Sequence, residues 1–285
     1  YIKFCHIYHI PPLPILSHNI LRFVAHLSNA GLASSTIRVY LSGIRSWSID
    51  LGLPLPDIYT PTLSQAMRTL DRSHTPKQAP PLLFTHLLAI MAKAPFNREN
   101  LVAITALSLG YIACLRPSEY LLTRGVRSPP TRADITFASD SSSADFTVHR
   151  SKTSPKGFIV HIGCTASVLC PVCLLKLMFV LIPASPVSPL FMTLSGSPMS
   201  YTYLTGRLHA FLRLIGVDPT NFTLHSLRAG AATTAAAAGC SEDEVQRLGR
   251  WASLCYRRYI RPSRQAQAAL APKLALSLSP DHFIP

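Results

Sequence analysis

The stretch GRWASLCYRRYIRPS, residues 249–263, holds four arginines, two tyrosines and a tryptophan in fifteen positions, with no acid among them. It reads as a basic helix able to lie along a polyanion. It also raises a sharper question, whether Tyr256 or Tyr259 does chemistry there. Upstream, LHSLRAGAATTAAAAG (224–239) places His225 and Arg228 three residues apart, which on a helix is one face. Further upstream, ACLRPSEYLLT (113–123) puts Arg116 at the end of an apolar helix, with Glu119 three residues on. Between these segments, HRSKTSPKG (149–157) reads as a β-turn carrying Lys152, with Lys156 as its competitor. The order along the chain is Arg116, Lys152, His225, Arg228, Trp251, Tyr259.

The whole chain sets the context. It has 285 residues, enough for two modest domains or one large one, and 48% of them are hydrophobic. Lysine and arginine number 27 against 13 acids, a net charge of +14. Charged residues are only 14% of the total, so the excess comes from scarce acids as much as from abundant bases. That balance points to a polyanionic partner, with nucleic acid the first candidate and an anionic membrane surface the second. Seven cysteines, odd in number and scattered, do not make a disulfide framework. Cys170 and Cys173, with Cys164 nearby, have half the spacing of a zinc site, and no second CxxC or HxxxH completes it. They read as buried thiols. The first residues, YIKFCHIYHIPPLPIL, have neither a signal-peptide layout nor a long apolar run. The chain starts at Tyr1 rather than Met, as a piece of a longer product would. The most apolar region, 158–181, is interrupted by His161, Pro171 and Lys176. It reads as a strand plus a core helix rather than a membrane span.

Periodicity gives the organisation. Ile20, Phe23, Val24 and Leu27 mark a helix over 17–30 that Gly31 closes. A second helix starts at Ser34 and Ser35. Its inner face is Ile37, Leu41, Ile44, Trp47 (or Ser48) and Leu51, and Arg38 and Arg45 share another face. A third covers 63–72. The stretch HTPKQAPP (74–81) reads as a linker. Helices follow at 83–93 and 99–115. Three β-type runs, DITF, DFTVHR and GFIVHI, then predict a small antiparallel sheet within 132–163. Helices return at 168–182, 201–215, 226–239 and from Glu242. The expected fold is mainly α with a small antiparallel β-sheet. Glu242, Asp243 and Glu244 are the only tight group of acids, and after Ser241 they read as a capped first turn. A two-metal nuclease would need a carboxylate cluster that the sequence does not offer.

The ordered set Arg116, Lys152, His225, Arg228, Trp251 and Tyr259 resembles that of the tyrosine recombinase (phage integrase-like) superfamily. The details HSLRAGAAT, LGRW and YIR look most like the recombinases of eukaryotic DIRS-like and Crypton mobile elements. The resemblance covers nearly the whole chain. It implies a two-domain, C-shaped DNA clamp with the active site between the domains. Residues 1–75 would be a helical core-binding (SAM-like) DNA-binding domain, and 76–285 the catalytic domain. It further implies double-stranded DNA as partner, a dimer on one site and a tetramer on paired sites, no membrane and no cofactor or metal. A location in the nucleus and a 3′-phosphotyrosyl intermediate complete the expectation. Glu119 would support the first arginine. The apolar tail 265–285 would dock on a neighbouring protomer, or else pack on its own domain. Two other readings stay open: an inactive, domesticated DNA-binding relative, and a type IB topoisomerase-like enzyme. One departure is in the spacing. Many relatives place the nucleophile nine residues after a His or Trp, whereas here Trp251 to Tyr259 is eight and Arg250 to Tyr259 is nine. Tyr256 therefore stays beside Tyr259 as a candidate.

The chemistry explains why such residues belong together. Attack on a phosphodiester builds negative charge on the non-bridging oxygens, and positioned cations stabilise that charge more than they stabilise the ground state. The guanidinium forks of Arg116 and Arg228 match phosphate oxygens. The Trp251 indole N–H can donate to them, and its ring can pack the nucleophile. A tyrosine with an ordinary pKa of about 10 needs help to ionise. His225 could take that proton or hold the phosphate, and Lys152 could protonate the leaving 5′ oxygen.

Overall fold

The computed structural model describes residues 1–53, 60–73, 79–124, 128–149, 151, 154, 156–258, 260 and 268. By contacts the chain divides into two compact units, Tyr1–Gln78 and Ala79–Pro285.

The first unit is helical: α1 (Ile2–Ile7), α2 (Ser17–Asn29), α3 (Ser34–Asp50) and α4 (Pro61–Ser73). Its core joins Phe4 and Cys5 to Ile20, Phe23 and Val24 of α2, Ile37, Leu41 and Ile44 of α3, and Leu63 and Met67 of α4. These are the 3–4-spaced apolar positions of each helix, so burial follows the sequence period directly. On α3 the fourth inward position is Ser48, one of the two residues the period allowed, fully buried, while Trp47 is half-buried. Two details differ from the expectation. Leu51 is 48% exposed. Leu51 lies just past the helix end, where the helical period no longer sets its direction. The short α1 was not anticipated, because six residues carry too little period to read. Its Phe4 packs on Phe23 with ring centroids 5.2 Å apart.

The second unit is built round α6 (Arg98–Ile112), buried on nearly every side from Asn100 to Tyr111. A helix apolar all round must be central. α5 (Phe84–Lys93), α8 (Pro171–Leu181), α9 (Tyr201–Leu214) and α10 (His225–Ala237) share its core. The short α7 (Pro117–Tyr120) and α11 (Glu242–Gly249) complete the set. α10 reaches close packing through small residues. A Cβ on Gly230 would stand 1.8 Å from the Leu82 carbonyl oxygen, and Leu82 N–H donates to the Ser226 carbonyl at 2.8 Å. The sheet is three-stranded and antiparallel, in the order β1 (Ile135–Phe137), β2 (Ser143–Val148), β3 (Phe158–Gly163). Phe146 pairs with Ile135 on one side and Val160 on the other. The alternation along β2 buries Ala144, Phe146 and Val148. The apolar region 158–181 is thus β3 followed by α8, and among the described residues no helix is long and apolar enough to cross a membrane.

The opening stretch is not one basic helix. α11 ends at Gly249, Arg250 takes a left-handed conformation at φ 54°, and Leu254–Arg258 form a separate 3₁₀ turn. Ser241 caps α11, accepting from the Glu244 N–H at 3.3 Å, so the acids 242–244 do form its first turn.

Candidate active site

The site is assembled where three helix ends of the second unit meet. α6 stops at Ile112, and the chain turns through Cys114, whose φ of 47° is left-handed. Such a turn aims the Ala113 and Cys114 carbonyls away from the helix, where they need donors. Two arginines supply them. Arg228, on the first turns of α10, is 2% exposed, and its terminal nitrogens donate to the Cys114 and Gly249 carbonyls. Arg250 donates to the Ala113 carbonyl at 3.1 Å and the Cys114 carbonyl at 3.2 Å.

Arg116 follows directly as the residue before α7. Its backbone N–H donates to Glu119 at 2.8 Å and its guanidinium to the same carboxylate at 3.0 Å. The Glu119 side chain is fully buried and also accepts from Arg250 at 3.4 Å. One buried carboxylate therefore holds two guanidiniums, and the third, Arg228, shares the Cys114 carbonyl with Arg250. Removing one partner from such a buried set costs about 3–5 kcal/mol, because the others are left uncompensated.

Trp251 is 6% exposed and lies with its ring over the Arg228 guanidinium, 4.3 Å from the centroid. Gly249 makes that approach possible: a Cβ there would stand 1.9 Å from the indole ring. Tyr256 is fully buried, and its ring lies 5.9 Å from that of Trp251. His225 opens α10 and is exposed. Desolvation of the ring beside the cluster, then the Arg228 and Arg116 charges, hold its pKa below the ordinary histidine value. Beside the cluster, Asp243, Gln246, Arg247, Arg250 and Trp251 line an open depression of about 520 Å³.

Of the residues singled out in the sequence, the structure brings Arg116, His225, Arg228 and Trp251 together. Lys152 and Tyr259 lie outside the described residues, as do residues 74–78 of the linker 74–81 and most of the tail. Lys156 is exposed at the β2–β3 connection, before Gly157. Arg250 was missed as a site residue. The sequence signal for it is its position nine residues before Tyr259. The thiols also differ from the expectation: Cys170 is buried, but Cys164 and Cys173 are exposed. In the first unit Arg38 is paired with Asp71 at 2.6 Å, and Arg45 is exposed.

No protein-family model matches the sequence, and no curated protein matches it. Solved structures match it in fold. The Tn1549 transposon integrase in complex with transposon right end DNA superposes with a TM-score of 0.61 at 15% identity, over 96% of this chain and 91% of that one. The XerH site-specific recombinase bound to a palindromic difH substrate gives 0.59 at 15% identity, over 90% and 69%. A lambda integrase dimer bound to a COC′ core site gives 0.54 at 16% identity, over 88% and 66%. These neighbours are tyrosine recombinases, and the mainly helical fold with its small three-stranded antiparallel sheet is that of their catalytic domains. At these identities the likeness is one of fold.

Proposed function

We propose that this chain is a site-specific DNA recombinase that cuts and rejoins DNA through a 3′-phosphotyrosyl intermediate. One observation carries the reading: Arg116, Arg228, His225 and Trp251 converge at one junction, round a buried Glu119, in the fold of enzymes that do this chemistry. The scissile phosphate is held by the Arg116 and Arg228 guanidiniums, which stabilise the charge that grows on its non-bridging oxygens. Arg228 spends two donors on backbone carbonyls, which fix the guanidinium before substrate arrives. Such fixed donors need no reorganisation at the moment of reaction.

Tyr259 is the proposed nucleophile. Its phenolic oxygen bonds to phosphorus as the bond to the 5′ oxygen breaks. Neutral His225 takes the phenolic proton, and Lys152 gives a proton to the leaving 5′ oxygen. The 5′ hydroxyl of a second strand then attacks the phosphotyrosine and releases Tyr259. The energy of the phosphodiester stays in the covalent link, so the exchange draws on no nucleotide cofactor and no catalytic metal. The burial of Tyr256 behind Trp251 supports Tyr259 over Tyr256. Host context as a mobile element, a nuclear location and assembly of a tetramer through the tail 265–285 belong to the same proposal and rest on the motif resemblance.

A nicked suicide DNA substrate, whose short 5′-hydroxyl fragment diffuses away after cleavage, tests the reading. A covalent protein–DNA adduct that forms in excess EDTA is expected. Specific binding without any adduct would favour an inactive relative. Relaxation of supercoiled DNA without site preference or strand exchange would favour a topoisomerase. Cleavage lost in EDTA and restored by magnesium would point to another enzyme class.

A further inference from the structure

Three sulfurs meet far along the chain from the arginine cluster. The Sγ of Cys164 is 3.3 Å from that of Cys170 and 3.6 Å from that of Cys173, and all three lie within 4.8 Å of one another. A tetrahedral zinc with Zn–S bonds of about 2.3 Å separates its sulfurs by about 3.8 Å. The two Cys164 pairs thus stand a few tenths of an ångström inside the edge length of that tetrahedron, and small movements would seat the ion.

Two further observations point the same way. The Thr165 backbone N–H donates to the Cys170 sulfur at 3.3 Å, a contact that favours the thiolate over the thiol. Cys170 is also the residue that caps α8, an eleven-residue helix whose N-terminal partial charge favours an anion at that place. The sequence alone gave C-x5-C-x2-C without a second half. The fold makes the missing half unnecessary for a three-thiolate site, because Cys164 leaves the end of β3 and turns back onto α8.

We propose that Cys164, Cys170 and Cys173 form a zinc site with a solvent molecule as fourth ligand. Soft thiolates in tetrahedral array select zinc among the common divalent ions. Among the described residues no fourth His, Cys, Asp or Glu joins the group, and the exposure of Cys164 and Cys173 leaves the fourth position to water. The site clamps the sheet to the core. Cys164 donates its backbone N–H to Ser142, next to β2, at 2.7 Å, while α8 packs on α6. The metal would therefore hold the end of the β2–β3 hairpin opposite the connection that carries Lys156.

The test uses the full chain, purified under reduction and titrated with zinc alone, then cobalt alone. The proposal expects one zinc per chain. It expects a thiolate-to-cobalt charge-transfer band with the visible bands of tetrahedral cobalt, and a Tm that rises with zinc. Cys164→Ser and Cys173→Ser, both at exposed positions, should lose stoichiometric metal and the Tm response while keeping the far-ultraviolet circular dichroism of the wild type. Cys240→Ser and Cys255→Ser should keep the metal. The proposal is overturned if reduced wild-type protein binds no zinc, or if all four variants behave alike. It is equally overturned if thiol counting finds a Cys164–Cys170 disulfide in protein kept under reductant.

Discussion

Arg38 and Arg228 both sit on helices, and the molecule treats them in opposite ways. Arg38 stands in solvent, with its side chain 54% exposed and paired to Asp71. Arg228 is 2% exposed, tied to two backbone carbonyls and covered by an indole ring. In the first unit charge is a surface property, exchangeable with any polyanion and weakened by salt. In the second it is built into the architecture, where a buried acid and two strained helix ends hold it. On the function proposed above, binding of DNA in general would belong to the first kind of arginine, and chemistry on one phosphate to the second.

The largest expected effect breaks the second kind without removing its charge. Arg228→Lys keeps a cation but loses the fork that reaches both carbonyls. Cleavage of a suicide substrate should fall by about 10²–10³-fold or more, while gel-shift affinity for the same DNA stays within a few-fold. A variant that cuts at near wild-type rate would mean that the fork is not needed.

Glycines sharpen the contrast at the level of packing. Gly230→Ala would drive a Cβ into the Leu82 carbonyl, whereas a Cβ on Gly43 of α3 meets nothing within 4 Å. The first should destabilise its unit by about 1–3 kcal/mol. The second should stabilise its own by up to about 1 kcal/mol, from the higher helix propensity of alanine. The two tryptophans, Trp47 and Trp251, fall one in each unit, so urea unfolding of Trp47→Phe and Trp251→Phe backgrounds reads each unit separately.

A titration follows from the way the cluster acts on its neighbour. Burial and the Arg228 and Arg116 charges lower the His225 pKa. Its imidazole should therefore titrate by NMR below the ordinary value of about 6.5, and Arg116→Met should move it upward. The folded state binds fewer protons than the unfolded one here. His225 thus contributes stability that is lost as pH falls through about 6.5 and below. A His225 that titrates at or above that value would separate it from the arginines.

The smallest effect belongs to the exposed arginine. Arg38→Ala should leave the unfolding midpoint of the first unit nearly unchanged. It should weaken binding to all DNA sequences alike and reduce the slope of log affinity against log salt by about one. A sequence-dependent loss would make Arg38 a reader of bases.

The helices and the sheet were legible because their apolar residues recur at 3.6 or 2 positions over long enough runs. α1 was not, being too short to show a period, and Leu51 misled because the helix ends before it. Four of the candidate site residues were legible as an ordered set of types. Their mode of assembly was not. No local pattern says that the chain at Cys114 and at Gly249 aims carbonyls at Arg228, because that brings the end of α6 against two segments more than a hundred residues further along. The burial of the thiols was only partly legible. Cys170 is buried as read, but Cys164, just past a strand end, and Cys173, on the first turn of α8, are exposed, because spacing along the chain does not tell which side of a strand end or helix faces solvent.

The central claim is that a tyrosine of the stretch 249–263 becomes joined to DNA, and that it is Tyr259. Peptide mapping by mass spectrometry of the adduct trapped on a suicide substrate tests it most directly, run beside Tyr259→Phe and Tyr256→Phe. The account predicts a 3′-phosphonucleotide on the peptide at Tyr259, no adduct from Tyr259→Phe despite normal DNA binding, and an adduct retained in Tyr256→Phe wherever that variant folds. An adduct mapped to Tyr256, or one that persists in Tyr259→Phe, would contradict it.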